Sequence, residues 1–181
     1  MNKRTILLIS LPIIIIAISL SIYISNQRVL VNELYPELTL EELVERSDII
    51  VIGKVTNIRE PILVYSNNDK RLPILVTDIV ISIDRVLTSN YNGREITIRT
   101  LGDNRDSIDN FVEDEIQFKE GEDVLLFINS DARDIILKDR YYISGGEQGV
   151  FKIRDNIAYN MKYKDGIAVE ELVNKIYYYK K

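Results

Sequence analysis

Cysteine, histidine and tryptophan do not occur anywhere in the 181 residues. Without cysteine the chain has no disulfide, no thiolate nucleophile and no acylated lipoprotein anchor. Without histidine as well, a Cys/His zinc site is excluded, and so is the commonest general base at neutral pH. Zero cysteine is neutral about compartment, because an exported protein can use disulfides but does not need them. Charge is missing from one long stretch. Ile6 to Ile24 (ILLISLPIIIIAISLSIYI) are 19 residues without an ionisable side chain other than Tyr23.

What is present is ordinary for a globular protein: 46% hydrophobic and 28% charged residues. Those fractions exclude wholesale disorder. The whole chain has a formal net charge of −5, to which Lys3 and Arg4 contribute +2, leaving −7 for residues 26–181. An acidic domain is repelled by phosphate backbones, so nucleic acid is excluded as a partner on charge.

A helix over residues 6–24 rises about 1.5 Å per residue and just spans a hydrocarbon core of about 30 Å. Pro12 is tolerable in such a helix. Lys3 and Arg4 precede the run, and the positive-inside rule then places Met1 in the cytoplasm and everything after Ser25 outside. The competing reading is a cleaved signal peptide, whose apolar region is usually about 7–15 residues and ends in a small-x-small site. The run here is longer, with Ser19 and Ser21 the small pair near its end. The expected organisation is a signal-anchor helix (1–25), a connector (26–37) and an extracytoplasmic domain (38–181). The protein would be single-pass in the cell membrane, or secreted if the segment is cleaved.

Within the domain, Thr39 and Glu42 form a capping-box pattern, with Leu38 and Leu43 placed as a hydrophobic staple. Leu40, Leu43 and Val44 share a helical face, and that helix is expected to end near Ser47. DIIVIGKVTNI from Asp48 is a β-branched strand, with Gly53 a bulge or close-packing point. Residues 59–73 read as a loop. PILVTDIVISIDRVL and REITIRTL flank Asn92-Gly93 and predict a hairpin. EDVLLFIN is apolar on both faces, as a central strand would be. RYYIS, VFKI and IAYNMKY follow, joined by GGEQG, read as a hairpin turn, and by Asp155-Asn156. Asp165-Gly166 then leads to a terminal helix whose face is Val169, Leu172, Val173 and Ile176. Six or seven short strands with a helix at each end predict a mainly β domain. The expected form is a partly closed antiparallel barrel, with an open sandwich as the alternative.

LEELVERSD running into IIVIGKVTNI, then FKEGEDVLLFI and GGEQGVFKI, resemble a broad group of uncharacterised exported proteins of bacteria and archaea. Their domain is similar to the OB-like barrels of netrin and metalloprotease-inhibitor modules. The resemblance covers roughly residues 38–176 and implies a fold. The inhibitor modules rely on an N-terminal cysteine and disulfides that this chain lacks, so it implies no inhibition, and it brings no catalytic residues.

Candidate sites are few. The acidic stretch 102–121 offers Asp103, Asp106, Asp109, Glu113, Asp114 and Glu115, hard oxygen ligands of the kind a calcium ion takes, without the spacing of an EF-hand loop. Asp103, Asp106 and Asp109 are the named metal candidates, set against a solvated loop. GGEQG at 145–149 lacks the lysine and following helix of a phosphate-binding loop. Glu147 and Gln148 are expected exposed at its tip, where they could contact a partner. No spacing singles out a carboxylate pair for glycoside hydrolysis, and no S-x-x-K motif occurs. The 11 tyrosines, including Tyr141-Tyr142 and Tyr177-Tyr178-Tyr179, suit either packing or a binding surface. No cofactor is implied. The expectation is a membrane-tethered interaction module for an envelope protein or polymer, held in the bilayer through residues 6–24. The alternatives are an envelope hydrolase using loop carboxylates and a structural or assembly factor.

Overall fold

The computed structural model describes residues 37–65, 73–88, 91–103, 116–130 and 140–180. The apolar run 6–24, the connector up to Pro36, and Asp106, Asp109, Glu113, Asp114 and Glu115 lie outside them. Among the described residues no helix is long and apolar enough to cross a membrane. The described elements belong to one unit, Leu38–Lys181.

Helix α1 (Leu40–Glu45) begins at the capping box. The Glu42 backbone N–H donates to Thr39 Oγ1 at 3.2 Å, and the Thr39 N–H donates to Glu42 Oε2 at 2.7 Å. The bond from the Thr39 N–H, and then the Thr39 hydroxyl donating to the same Oε2 at 3.0 Å, hold the Glu42 carboxyl below its ordinary range. The helix ends sooner than Ser47. The Ser47 hydroxyl donates to the Leu43 carbonyl at 2.6 Å, and Asp48 turns to the sheet by donating its N–H to Ile128 O at 2.9 Å.

The rest is mainly antiparallel sheet with one further helix. The strands are β1 (Ile49–Ile58), β2 (Ile62–Tyr65), β3 (Pro73–Thr88), β4 (Glu95–Leu101), β5 (Asp123–Asn129), β6 (Tyr142–Ile143), β7 (Val150–Arg154), β8 (Ile157–Tyr159) and β9 (Ile167–Ala168), followed by α2 (Val169–Tyr179). The main path runs β2-β3-β1-β5-β7-β8-β9, with β4 paired to β3 and β6 to β5. The strand count exceeds the expected six or seven because four of the nine are only two to four residues long. One of these, β2, arises inside the stretch read as a loop: ILVY is β-branched and aromatic, and Leu63 and Tyr65 pair with Leu75 and Pro73.

β3 is long enough to serve three partners. Its N-terminal part pairs with β2 and β4, and its C-terminal part with β1, where the register slips between Ile50 and Val51, between Ile52 and Gly53, and between Val55 and Asn57. The sheet is not closed into a continuous ladder. β4 meets the residue just before β6 at an isolated parallel bridge, Ile98 to Tyr141.

GGEQG is not a hairpin turn. β6 and β7 both run antiparallel to β5, Ile143 opposite Ile128 and Val150 opposite Leu126, so the chain does not reverse between them. Residues 144–149 are an insertion that bulges out of one strand, with Gly145 and Gly146 both at positive φ and a 3₁₀ turn over Gly146–Gly149. The reversal that does follow is the two-residue turn at Asp155-Asn156, where both residues have positive φ.

β1 and β5 are apolar on both faces because the sheet buries both. On one face Ile50, Leu125, Phe127 and Phe151 meet the stripes of the two helices: Leu40, Leu43 and Val44 from α1, and Leu172, Val173 and Ile176 from α2. Each such side chain removed from water contributes about 1.5–3 kcal/mol. On the other, Ile49, Val51, Val124, Leu126 and Ile128 pack against Ile79, Ile81, Ile96 and Ile98 of β3 and β4.

Candidate functional site

The alternation of β4 decides what faces outward. Ile96 and Ile98 point into the core, so Glu95, Thr97 and Arg99 line the opposite face. The β3–β4 register sets Asp78 opposite Arg99, Val80 opposite Thr97 and Ser82 opposite Glu95. Two other segments join this row. The Arg59 N–H donates to Asp78 O at 3.0 Å, which places the residue following β1 beside it. The Arg99 N–H donates to Tyr141 O at 2.8 Å, next to the parallel bridge, which aligns Arg140 and Tyr141 with β4.

Asp78 anchors this face. Its side chain is 8% exposed and that of Arg99 9%, values that require each charge to be compensated. Arg99 grips the carboxylate with both ends of its fork, Nε to Oδ1 at 2.7 Å and Nη2 to Oδ2 at 3.0 Å. Arg140 Nε donates to the same Oδ2 at 3.2 Å. Burial pushes the Asp78 carboxyl up, but the two guanidinium groups outweigh it and hold it below the usual carboxylate range.

Beside this ion cluster lies an open, polar cleft of about 340 Å³, lined by Arg59, Tyr91, Glu95, Thr97, Arg140 and Tyr141. Its aromatic wall is a fixed pair. Tyr91 and Tyr141 meet edge to face, with centroids 6.1 Å apart and planes at 88°. The Tyr91 hydroxyl donates to the Glu95 carbonyl at 2.7 Å, folding the ring back over the hairpin. Gly93 makes room for it, since a Cβ there would lie 2.6 Å from the ring edge and hydroxyl. Burial, then the neighbouring Tyr141 and Glu95, push the Tyr91 hydroxyl up, so it stays a protonated donor at neutral pH. Arg59 is exposed.

The residues singled out from the sequence fall elsewhere. Asp103 is half-buried just beyond β4, following Gly102, whose carbonyl accepts the Thr77 hydroxyl at 2.6 Å. Its companions Asp106 and Asp109 lie outside the described residues. Among the described residues no three acidic side chains gather as a metal site would require. Gln148 is not at an exposed tip. It is buried, its Oε1 accepts the Leu38 N–H at 2.6 Å, and its carbonyl accepts Asn160 Nδ2 at 3.0 Å. Gln148 therefore fastens the start of the domain to the insertion, while Glu147 is half-buried beside it.

Sequence reasoning passed over the cleft, although one signal pointed to it. Asp78 is the lone charge in the stretch PILVTDIVISI of β3, and a carboxylate among β-branched neighbours demands a cation. Naming Arg99 required the hairpin register, and naming Arg140 required the remote bridge to β6. Compared with known proteins, the chain matches no family model, and no curated sequence is significantly similar to it.

Proposed function

We propose that this chain is a membrane-tethered, extracytoplasmic binding module that takes its ligand in the cleft between β4 and Arg140-Tyr141. The cleft carries the reading: two guanidinium groups, a braced tyrosine pair and a carboxylate converge on one open surface backed by a buried ion cluster. Such a surface offers many directional contacts on a rigid scaffold, which is what recognition needs. The charge-free run Ile6–Ile24 behind Lys3 and Arg4 supports the tether. Fixing the module at the membrane raises its effective concentration toward envelope components.

The finer fold reading belongs to this proposal. The path β4-β3-β1-β5-β6, with Tyr141 just before β6 bridged in parallel to β4, supports reading the sheet as a five-stranded, partly open OB-like barrel. It accords with the resemblance carried by LEELVERSD, FKEGEDVLLFI and GGEQGVFKI.

A photo-cross-linking residue at Glu95, in the cleft, compared with one at Glu45, on α1, tests the function in intact cells. Capture of an envelope component from Glu95 but not from Glu45 is expected. Equal capture from both positions would sink the cleft as the binding face. Protease added to intact cells should remove the domain 38–181, and full protection would overturn the topology.

A further inference from the structure

We infer that the cleft is a saccharide site selective for a sugar ring bearing a carboxylate, as in an acidic polysaccharide. This rests on the cleft being the binding face and names what it binds. Arg59 and Arg140 line it together, and a guanidinium fork is the side chain best matched to a planar carboxylate. The Arg140 guanidinium is held in place by its bond to buried Asp78, so little freedom is lost when it binds. Arg59 supplies an exposed second fork.

The other lining groups fit the rest of a sugar. Glu95 and Thr97 stand side by side on β4 as acceptor and donor for ring hydroxyls, partners that a bare inorganic anion would leave unused. The T-shaped pair of Tyr91 and Tyr141 presents a ring face and edge to the apolar C–H side of a pyranose. The volume, about 340 Å³, sits at the small end of the range for ligand sites, and the cleft is open enough for one unit of a longer chain to lie across it.

A protein partner is a poorer match. Protein interfaces are centred on a desolvated apolar anchor pocket, and this cleft is lined mostly by polar groups. The exposed aliphatic side chains Ile62, Leu63 and Leu101 belong to β2 and the end of β4 instead. Nucleic acid would bring its phosphates against a domain of net negative charge.

The test is calorimetric titration of the full-length chain in detergent micelles with trigalacturonic acid, with neutral galactotriose and inorganic phosphate as comparisons. Trigalacturonic acid should bind, galactotriose at least about tenfold more weakly, and phosphate should not compete at equal concentration. Arg59→Ala should weaken binding on the order of tenfold, the loss of one charge-assisted contact, with an unchanged unfolding midpoint. Gly93→Ala, which displaces the Tyr91 ring, should weaken it too. Equal binding of the acidic and neutral trisaccharides, competition by phosphate, or an Arg59→Ala variant of full affinity would each overturn the inference. If trigalacturonic acid fails to bind while Glu95 still cross-links to an envelope component, the ligand class is wrong and the binding face stands. If both fail, the functional reading falls with it.

Discussion

Two regions of this sheet's surface, the one under the helices and the outer row of β3 and β4, are organised in different ways. On the helix side, Phe127, Phe151, Leu172, Val173 and Ile176 belong to one cluster of fully buried apolar side chains. On the outer side of β3 and β4, a buried carboxylate, Asp78, is held by two guanidinium groups. The apolar layer is indifferent to salt and pH, and it tolerates exchange of one hydrophobe for another of like volume. The ionic face tolerates no such exchange, because removing one member leaves the other charges buried. That intolerance marks the outer face as the side where a specific arrangement of groups is being maintained.

Substitutions on either side should separate the two, and the largest effect is expected on the helix side. Phe127→Ala should cost about 3–5 kcal/mol, through lost burial and the cavity left beside Phe151. Urea denaturation should show this cost unchanged between low and high salt. Asp78→Ala should cost about 3 kcal/mol, at the low end for a broken buried pair because Arg140 is partly exposed.

The pH dependence of Asp78→Asn sharpens the contrast. The folded Asp78 carboxyl titrates below its unfolded value of about 3.8, so its stabilisation is complete above that value. It is lost as pH falls through the lower, folded value. Wild type should therefore exceed Asp78→Asn in urea midpoint at pH 6, and the two should converge in strong acid. A gap that persisted there would mean that the carboxylate charge is not what matters.

Smaller effects follow from local devices. Thr39→Ala removes the side-chain acceptor at the start of α1 and should cost about 1 kcal/mol on thermal unfolding. Gly93→Ala should shift the unfolding midpoint least, by less than about 0.5 kcal/mol, while changing the near-ultraviolet tyrosine signal as Tyr91 is displaced.

Much of the helix side was legible from local sequence. Thr39 with Glu42, the stripe Leu172-Val173-Ile176 and the two-sided apolar run VLLFI each declare their environment through spacing alone. The site was not, because it is assembled by register. Arg99 becomes a partner of Asp78 only when the hairpin aligns them, and Arg140 only when β6 bridges β4 from far along the chain. GGEQG misled for the same reason. Its glycines announce positive φ, which a hairpin and a bulge share, and only the common partner β5 tells the two apart. Gln148 shows the limit again, since nothing local says that its amide will receive the Leu38 N–H.

The pairing of β1 with β5, Ile49 opposite Ile128, has a consequence for assembly. β1 can zip to β3 soon after both emerge, but its other edge stays bare until residues 123–129 arrive. Throughout that interval an Ile- and Val-rich ribbon has one unpaired rim, the state most prone to joining a neighbouring chain. A chain that emerges gradually therefore has to keep its first strand shielded while residues 59–129 follow, and its yield will depend on how quickly that remote strand closes the gap.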